Sequence, residues 1–357
     1  MSEFLAARYA HMTPYVPGEQ PRDRIYIKLN ANEATVPPCS GVYEALADQA
    51  RLGQLNRYAD PRCLPLREAV ASHYGMTADE VFVGNGSDEV LALIFMTFMQ
   101  PGDRLVTLDV TYGLYHDYAT TFNLTFEEIP LHEDFTVDVD GLAASTAHVV
   151  FPNPNAPTGL RISHEDVARI ADAHTDRLVV IDEAYVDFGS KTCAQMVRTH
   201  RNLIVVQTMS KARNLAGAHI GYAFAQADLV ADMRDIKFSF NPFNVSAPTM
   251  AIGIAALEDE AFFRSYTASV CTERDATEQA LQALGFTTTK SHANFVFATH
   301  PTLPAERWQT ELRAAGILVR RFAGPRTGNW LRISVGTHDE MTAFLRETER
   351  IVRDHRA

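Results

Sequence analysis

The chain has 357 residues, 46% of them hydrophobic, and carries a formal net charge of −12 at pH 7. That length can bury large cores in two or three structural units, and the acidic balance argues against nucleic acid as the main partner. The most apolar run, 90–99, is about half a membrane span and is broken by Thr97, while the first nine residues include Glu3 and lack an apolar signal core, so a cytoplasmic chain with no membrane partner is expected.

Cys39, Cys63, Cys193 and Cys271 are far apart and form no C-x-x-C pair, which predicts reduced thiols and no metal site. Residues 1–27 form an irregular arm punctuated by Pro14, Pro17 and Pro21, and Leu29-Asn30-Ala31-Asn32-Glu33 follows it. Pro37-Pro38 bars a helix there, after which Val42, Leu46 and Ala50 predict one over 40–51. The loop 55–61 holds Tyr58, and Pro65 opens a helix with Leu66, Ala69, Val70 and Tyr74 on one face.

A strand at 81–83 runs into Gly84-Asn85-Gly86-Ser87-Asp88-Glu89 and then a helix over 90–99, apolar nearly all round and therefore buried. Glycines let backbone N–H groups converge, Ser87 can cap the helix, and the helix dipole favours a phosphate. An ordinary strand-to-helix turn fits the same residues. The strand 104–108 leads to Tyr112, an aromatic at the lip able to lie flat on a planar ligand, whereas Tyr115 and Tyr118 read as packing residues.

A strand at 148–151 enters Pro152-Asn153-Pro154-Asn155-Ala156-Pro157-Thr158-Gly159, where Asn155 caps a turn or offers a polar contact. The helix 164–174 bridges to a buried-type strand, 178–181, that ends in Asp182 with Tyr185 three residues on. The apolar run 203–206 ends at Ser210-Lys211 before a second run over 220–225. Beyond about 247 the pattern becomes α+β: helical periodicity continues to Leu284, then short strands at 295–297, 318–320 and 331–334 alternate with a helix over 307–315. The aromatics of 238–244 suit a hinge, a site rim or an interdomain core.

A lone lysine at a strand edge is as often a solvated charge as a functional group. Here a lysine, an acid and a tyrosine each lie just past the C-terminal end of an apolar strand, where open α/β sheets bind ligands. That set is what pyridoxal phosphate requires. Lys211 can form a Schiff base with the cofactor aldehyde and later carry a proton, Asp182 can keep the pyridine nitrogen protonated, and Tyr185 can donate to the ring's phenolic oxygen. In that company the Gly86-Ser87-Asp88 turn becomes the phosphate cup.

The segments 29–33, Asp182-Glu183-Ala184-Tyr185, Ser210-Lys211 and Leu331-Arg332-Ile333-Ser334-Val335-Gly336-Thr337, taken in that order, resemble histidinol-phosphate aminotransferases of the aspartate-aminotransferase fold (fold type I). The resemblance spans about 28–337. It implies an α/β, three-layer architecture with a mostly parallel central sheet and a smaller α+β domain. The division it suggests is an arm and part of the small domain over 1–39, a large cofactor domain over 40–246 and a small domain over 247–357. It also implies a homodimer that transfers an amino group between L-histidinol phosphate and 2-oxoglutarate, giving imidazole-acetol phosphate and glutamate in histidine biosynthesis.

By the same resemblance Tyr58 reaches the neighbouring subunit's cofactor phosphate and Tyr112 stacks on the ring. Gly86, Ser87, Asp88 and Ser210 take the phosphate, and Asn30 and Glu33 line the entrance. Arg332, facing opposite to Leu331 and Ile333, is a substrate-anion arginine, with Arg320 or Arg321 as the second. Two positions depart from the family pattern. Ala156 stands where an asparagine normally bonds the cofactor's phenolic oxygen, leaving Asn155, Asn153 or Tyr185 alone for that contact. His219 stands eight residues past the lysine, where an arginine normally grips the phosphate; an imidazole offers two donors at most, and Arg213 points elsewhere. An aromatic-amino-acid aminotransferase or a phosphothreonine decarboxylase would fit the same motifs, and a DNA-binding regulator would need a longer, more basic arm before Lys28.

Overall fold

The computed structural model describes residues 2–10, 12, 15–53 and 55–356. A short strand, β1 (Ile27–Leu29), precedes helices α1 (Ser40–Leu52) and α2 (Leu64–Tyr74). β2 (Val81–Asn85) runs directly into α3 (Gly86–Phe98), and β3 (Arg104–Leu108), α4 (Leu114–Phe122), β4 (Thr125–Ile129) and α5 (Val139–Ala144) follow. Next come β5 (His148–Pro152), α6 (His164–Ala173), β6 (Val179–Asp182), β7 (Leu203–Thr208) and β8 (Ile220–Phe224). Helices α7 (Ala227–Phe240), α8 (Ala247–Glu258) and α9 (Glu260–Ala283) lead into β9 (Thr287–Thr288), β10 (Phe295–Thr299), α10 (Ala305–Ala314), β11 (Ile317–Arg321), β12 (Leu331–Ser334) and α11 (His338–Arg356).

The larger sheet has the order β2-β8-β7-β6-β5-β3-β4 and is parallel except for β8, which runs against both its neighbours. Its inner strands are unbroken apolar runs because both faces are covered. Alternation divides them: Val179, Ile181 and Val205 join one core, while Val180, Ile204 and Val206 join the other with Leu91, Ile94 and Phe95 of α3. These are the three layers expected of the fold. The smaller sheet, β1-β11-β12-β10-β9, is antiparallel except where β1 pairs with β11. Its core gathers Leu29, Val296, Trp308, Ile333 and Phe344.

The predicted helix over 90–99 starts earlier, at Gly86, since Asp88 and Glu89 in its first turn suit the positive helix end. The long helical stretch after 247 is two helices, because the Asp259 carboxylate accepts from Phe262 N–H and caps α9. α8 packs on α1 and α2, and its Met250, Ala256 and Leu257 share a core with Cys39 and Val42. The sequence reading had no counterpart for β1, α4, β4, α5, α7, β9 or α11. Among the described residues no helix is long and apolar enough to cross a membrane. The four cysteines are free thiols, three of them buried.

Candidate active site

A cavity of about 300 Å³ opens where the carboxyl ends of β2, β5, β6 and β7 meet the smaller sheet and the N-terminal arm. Because β8 is reversed, its N-terminal end lies at this same edge, with Ile220 opposite Asn85. The first turn of α3 sits directly on it: a Cβ at Gly221 would lie 2.3 Å from Ser87 N. Gly86 has φ +82, and a Cβ there would meet His219 Nδ1 at 2.7 Å. Glycine at both positions therefore permits a cradle in which the unpaired first-turn N–H groups of α3 reach the cavity. Ser87, Asp88, Ser210 and His219 all line it, and Ser210 N–H is held by Thr208 Oγ1 at 3.1 Å.

The Asp88 carboxylate turns away from this cradle and accepts from Tyr112 Oη at 3.1 Å, while its carbonyl accepts from Tyr118 Oη at 2.8 Å. Asp88 thus fixes the aromatic lip, and any contact it makes to a phosphate is limited to its backbone N–H. The Tyr112 ring is braced edge-on by Tyr15 and Tyr115, with centroids 5.8 and 5.6 Å away.

Asp182, at the end of β6, is buried; Oδ2 accepts from Tyr115 Oη at 2.9 Å and Oδ1 from Ala184 N–H at 3.1 Å. Burial pushes its carboxyl up to about 6, against the pull of those two donors. Tyr115, which the sequence reading placed among packing residues, is thus a partner of the central acid. The only signal in the sequence was its position three residues past Tyr112. Lys211 Nζ lies 5.9 Å from the Tyr185 ring centroid and forms no hydrogen bond or ion pair with any described residue. Tyr185 Oη accepts from Asn32 Nδ2 at 2.9 Å.

Asn155 does not stand in for the missing amide at Ala156. Its Oδ1 accepts from Thr111 Oγ1 at 3.1 Å and its Nδ2 donates to Val110 O at 2.9 Å and Thr158 Oγ1 at 3.1 Å, so the group is spent on its own loop. Asn153 is likewise engaged, accepting from Ile162 N–H at 3.0 Å. Ala156 itself faces the cavity, which leaves Tyr185 as the hydroxyl at that edge. Arg213 is buried elsewhere, donating to Ala256 O at 2.9 Å and stacking on Phe263, with 3.7 Å from its guanidinium carbon to the ring centroid.

Across the cavity, Arg320 and Arg332 are direct partners in the β11–β12 register. Arg332 is half-buried between Phe295 and Phe322, each 5.4 Å away; Nη2 donates to Asn30 O at 3.3 Å, and the buried Nε has no partner among the described residues. Arg320 donates to Val16 O at 2.7 Å and Pro17 O at 3.2 Å of the arm. Strand alternation sends Arg321 to the other face, toward Gly328 O and Glu306. Asn30 and Glu33 are at the cavity's edge, Asn30 donating to Glu19 O at 2.9 Å and Glu33 paired with Lys28 at 2.6 Å. Tyr58 is outside the cavity, 82% exposed and stacked on Phe243 at 4.2 Å.

This donor set fits pyridoxal phosphate: a glycine cradle that a Cβ would fill, a free amine, a buried carboxylate and an aromatic plate surround one cavity. Among the described residues no group of His, Cys, Asp and Glu could hold a metal.

Residues 24–347 match the family model for class I and II aminotransferases. The histidinol-phosphate aminotransferase of Clostridium acetobutylicum is 42% identical over 345 residues, covering 97% of this chain and 98% of that one. That of a Marinomonas species is 43% identical over 349 residues, covering 96% and 98%. The crystal structure of histidinol-phosphate aminotransferase from Sinorhizobium meliloti in complex with pyridoxal-5'-phosphate superposes with a TM-score of 0.89 at 25% identity over 99% of both chains. An aspartate aminotransferase variant of Thermus thermophilus shares the fold, with a TM-score of 0.82 at 21% identity over 98% of this chain and 100% of that one. The chain belongs to the class I and II aminotransferases and, within them, to the histidinol-phosphate aminotransferase family.

Proposed function

We propose that this enzyme transfers an amino group between L-histidinol phosphate and 2-oxoglutarate, giving imidazole-acetol phosphate and glutamate, as a pyridoxal phosphate-dependent step of histidine biosynthesis in the cytoplasm. The observation that carries this reading is the pair Arg320 and Arg332, adjacent on two strands and turned into the same cavity as Lys211 and Asp182. Two neighbouring guanidinium groups suit the phosphate of one substrate and a carboxylate of the other.

Bound pyridoxal phosphate supplies an electron sink for the charge left when the substrate's Cα–H bond breaks. Lys211 anchors it through Nζ and, once released, takes and returns a proton at that atom. Asp182 holds a proton on the pyridine nitrogen; a buried carboxylate whose own burial resists ionisation is stabilised by an adjoining cation. Tyr185 donates to the phenolic oxygen. The α3 N-terminus, Ser87, Ser210 and His219 receive the phosphate, Tyr112 covers the ring and excludes water, and Asn30 and Glu33 shape the entrance. The exposed Tyr58–Phe243 pair is suited to burial against a second copy, with Tyr58 serving the partner's phosphate in a homodimer.

Turnover of the cofactor-loaded enzyme on L-histidinol phosphate and on phenylalanine tests the assignment. The phosphate substrate is expected to have the larger kcat/KM, and Lys211→Ala is expected to lose about 10³-fold or more in turnover while still taking up cofactor. Faster turnover on phenylalanine would move the assignment to aromatic amino acids, and normal turnover by Lys211→Ala would overturn the mechanism.

A further inference from the structure

Asn32 is buried at the cavity wall and every polar group it owns is engaged. Its N–H donates to Ser334 Oγ at 2.8 Å, and Ser334 Oγ returns its single proton to Asn32 Oδ1 at 3.0 Å. Its carbonyl accepts from Asn294 Nδ2 at 3.0 Å. The backbone adopts φ +53, which asparagine tolerates better than most residues. With Oδ1 turned to Ser334, only the amide hydrogens of Nδ2 are left for Tyr185 Oη, 2.9 Å away. An amide nitrogen donates and does not accept, so Tyr185 must accept there and keep its one proton for another partner. No described residue takes that proton, and Ala156 at the same edge offers nothing.

We propose that Asn32, locked by Ser334, is a positioning residue that commits the Tyr185 hydroxyl to donate into the cavity, toward the phenolic oxygen of the cofactor. This rests on the cofactor reading above. Ser334 and Arg332 are two residues apart on β12 and share its cavity face, so the strand that carries the substrate-anion arginine also sets the direction of the Tyr185 proton. A donor to the phenolic oxygen draws off negative charge that would otherwise hold a proton on the linked lysine nitrogen, so losing it makes that nitrogen more basic.

The test is the pH midpoint of the visible absorption band of cofactor-loaded enzyme, measured for wild type, Asn32→Gly, Tyr185→Phe and the double variant. Besides Lys211, the charged or titratable groups lining the cavity with this pair include Glu33, Asp88, Asp182, His219, Arg320 and Arg332, and all remain in every variant. Glycine accepts the positive φ of position 32. Asn32→Gly is expected to raise the midpoint by about 0.5 to 1 pH unit, Tyr185→Phe by at least as much, and the double variant no further than Tyr185→Phe. Ser334→Ala, which removes only the lock, should shift it the same way by less, and serves if Asn32→Gly does not fold. A midpoint unmoved by Asn32→Gly while thermal stability falls, or a shift of undiminished size in the Tyr185→Phe background, would overturn the proposal. A wild type with no visible band would instead remove the cofactor reading on which it stands.

Discussion

The two ends of the cavity both suit anions but are built from opposite materials. The α3 end is backbone N–H groups and hydroxyls on a strand-to-helix turn, with Lys211 and the imidazole of His219 beside them. The β11–β12 end is two guanidinium groups, Arg332 enclosed by Phe295 and Phe322 and Arg320 tied to arm carbonyls. In the proposed reading the first end keeps one phosphate for the life of the protein, so fixed dipoles serve it. The second must accept phosphate and carboxylate in turn, and permanent charge on long side chains adapts to both. The difference teaches that an anion site can be specified by backbone shape or by charge.

The largest expected break in that comparison is Arg332→Ala. Truncating a desolvated charged contact costs about 2–5 kcal/mol, so kcat/KM for both substrates should fall by about 30-fold to several thousand-fold while cofactor affinity holds, and Arg332→Lys should recover it only in part because an ammonium lacks the fork. A matching loss of cofactor affinity would show that the two ends are not separate. A smaller effect is expected from His219→Arg, read as the cofactor dissociation constant at one pH. A guanidinium offers a paired fork of donors where an imidazole offers two at most, so the arginine variant should hold the cofactor more tightly than wild type, by about 3- to 10-fold. Equal affinities would sink the distinction drawn above. The smallest effect is Tyr115→Phe. The lost donor favoured the ionised form of Asp182, so burial would push that carboxyl above about 6. Asp182 must be ionised to hold the ring nitrogen's proton, so the acid limb of the kcat profile should move upward, by less than about one pH unit, with a few-fold fall in kcat.

Residues at strand ends were legible in the sequence because an apolar run that stops at a polar residue marks both the strand and its lip; Asp182, Lys211 and the Gly86 turn were all found in this way. Alternation likewise put Arg332 on the face opposite Leu331 and Ile333. Pairings across distant segments were not legible. Tyr115 and Asp182 are 67 residues apart, and Asn32 and Tyr185 are 153 apart, and nothing local to Tyr115 or Asn32 announces either contact. Asn155 misled because its neighbours matter more than its type: the loop's own Thr111, Val110 and Thr158 claim its amide. β4 was obscure because Thr-Phe-Glu-Glu-Ile is an edge strand with little burial to shape it. α11 went unread although its signal is present, since Met341, Phe344, Thr348, Ile351 and Val352 repeat at helical spacing on its buried face.

The reversal of β8 gives the chain an unusual economy of connection. Every parallel neighbour in the larger sheet is reached by a long excursion across a face, but the step from β7 to β8 is a short return along the same edge, and the amine and the imidazole both ride on it. In the proposed reading, the grip on the phosphate can therefore be retuned by replacing one residue in a hairpin, with no crossover helix disturbed. In a lineage that needs a tighter or more readily exchanged vitamin B6 group, position 219 is where drift or an engineer would find the least resistance.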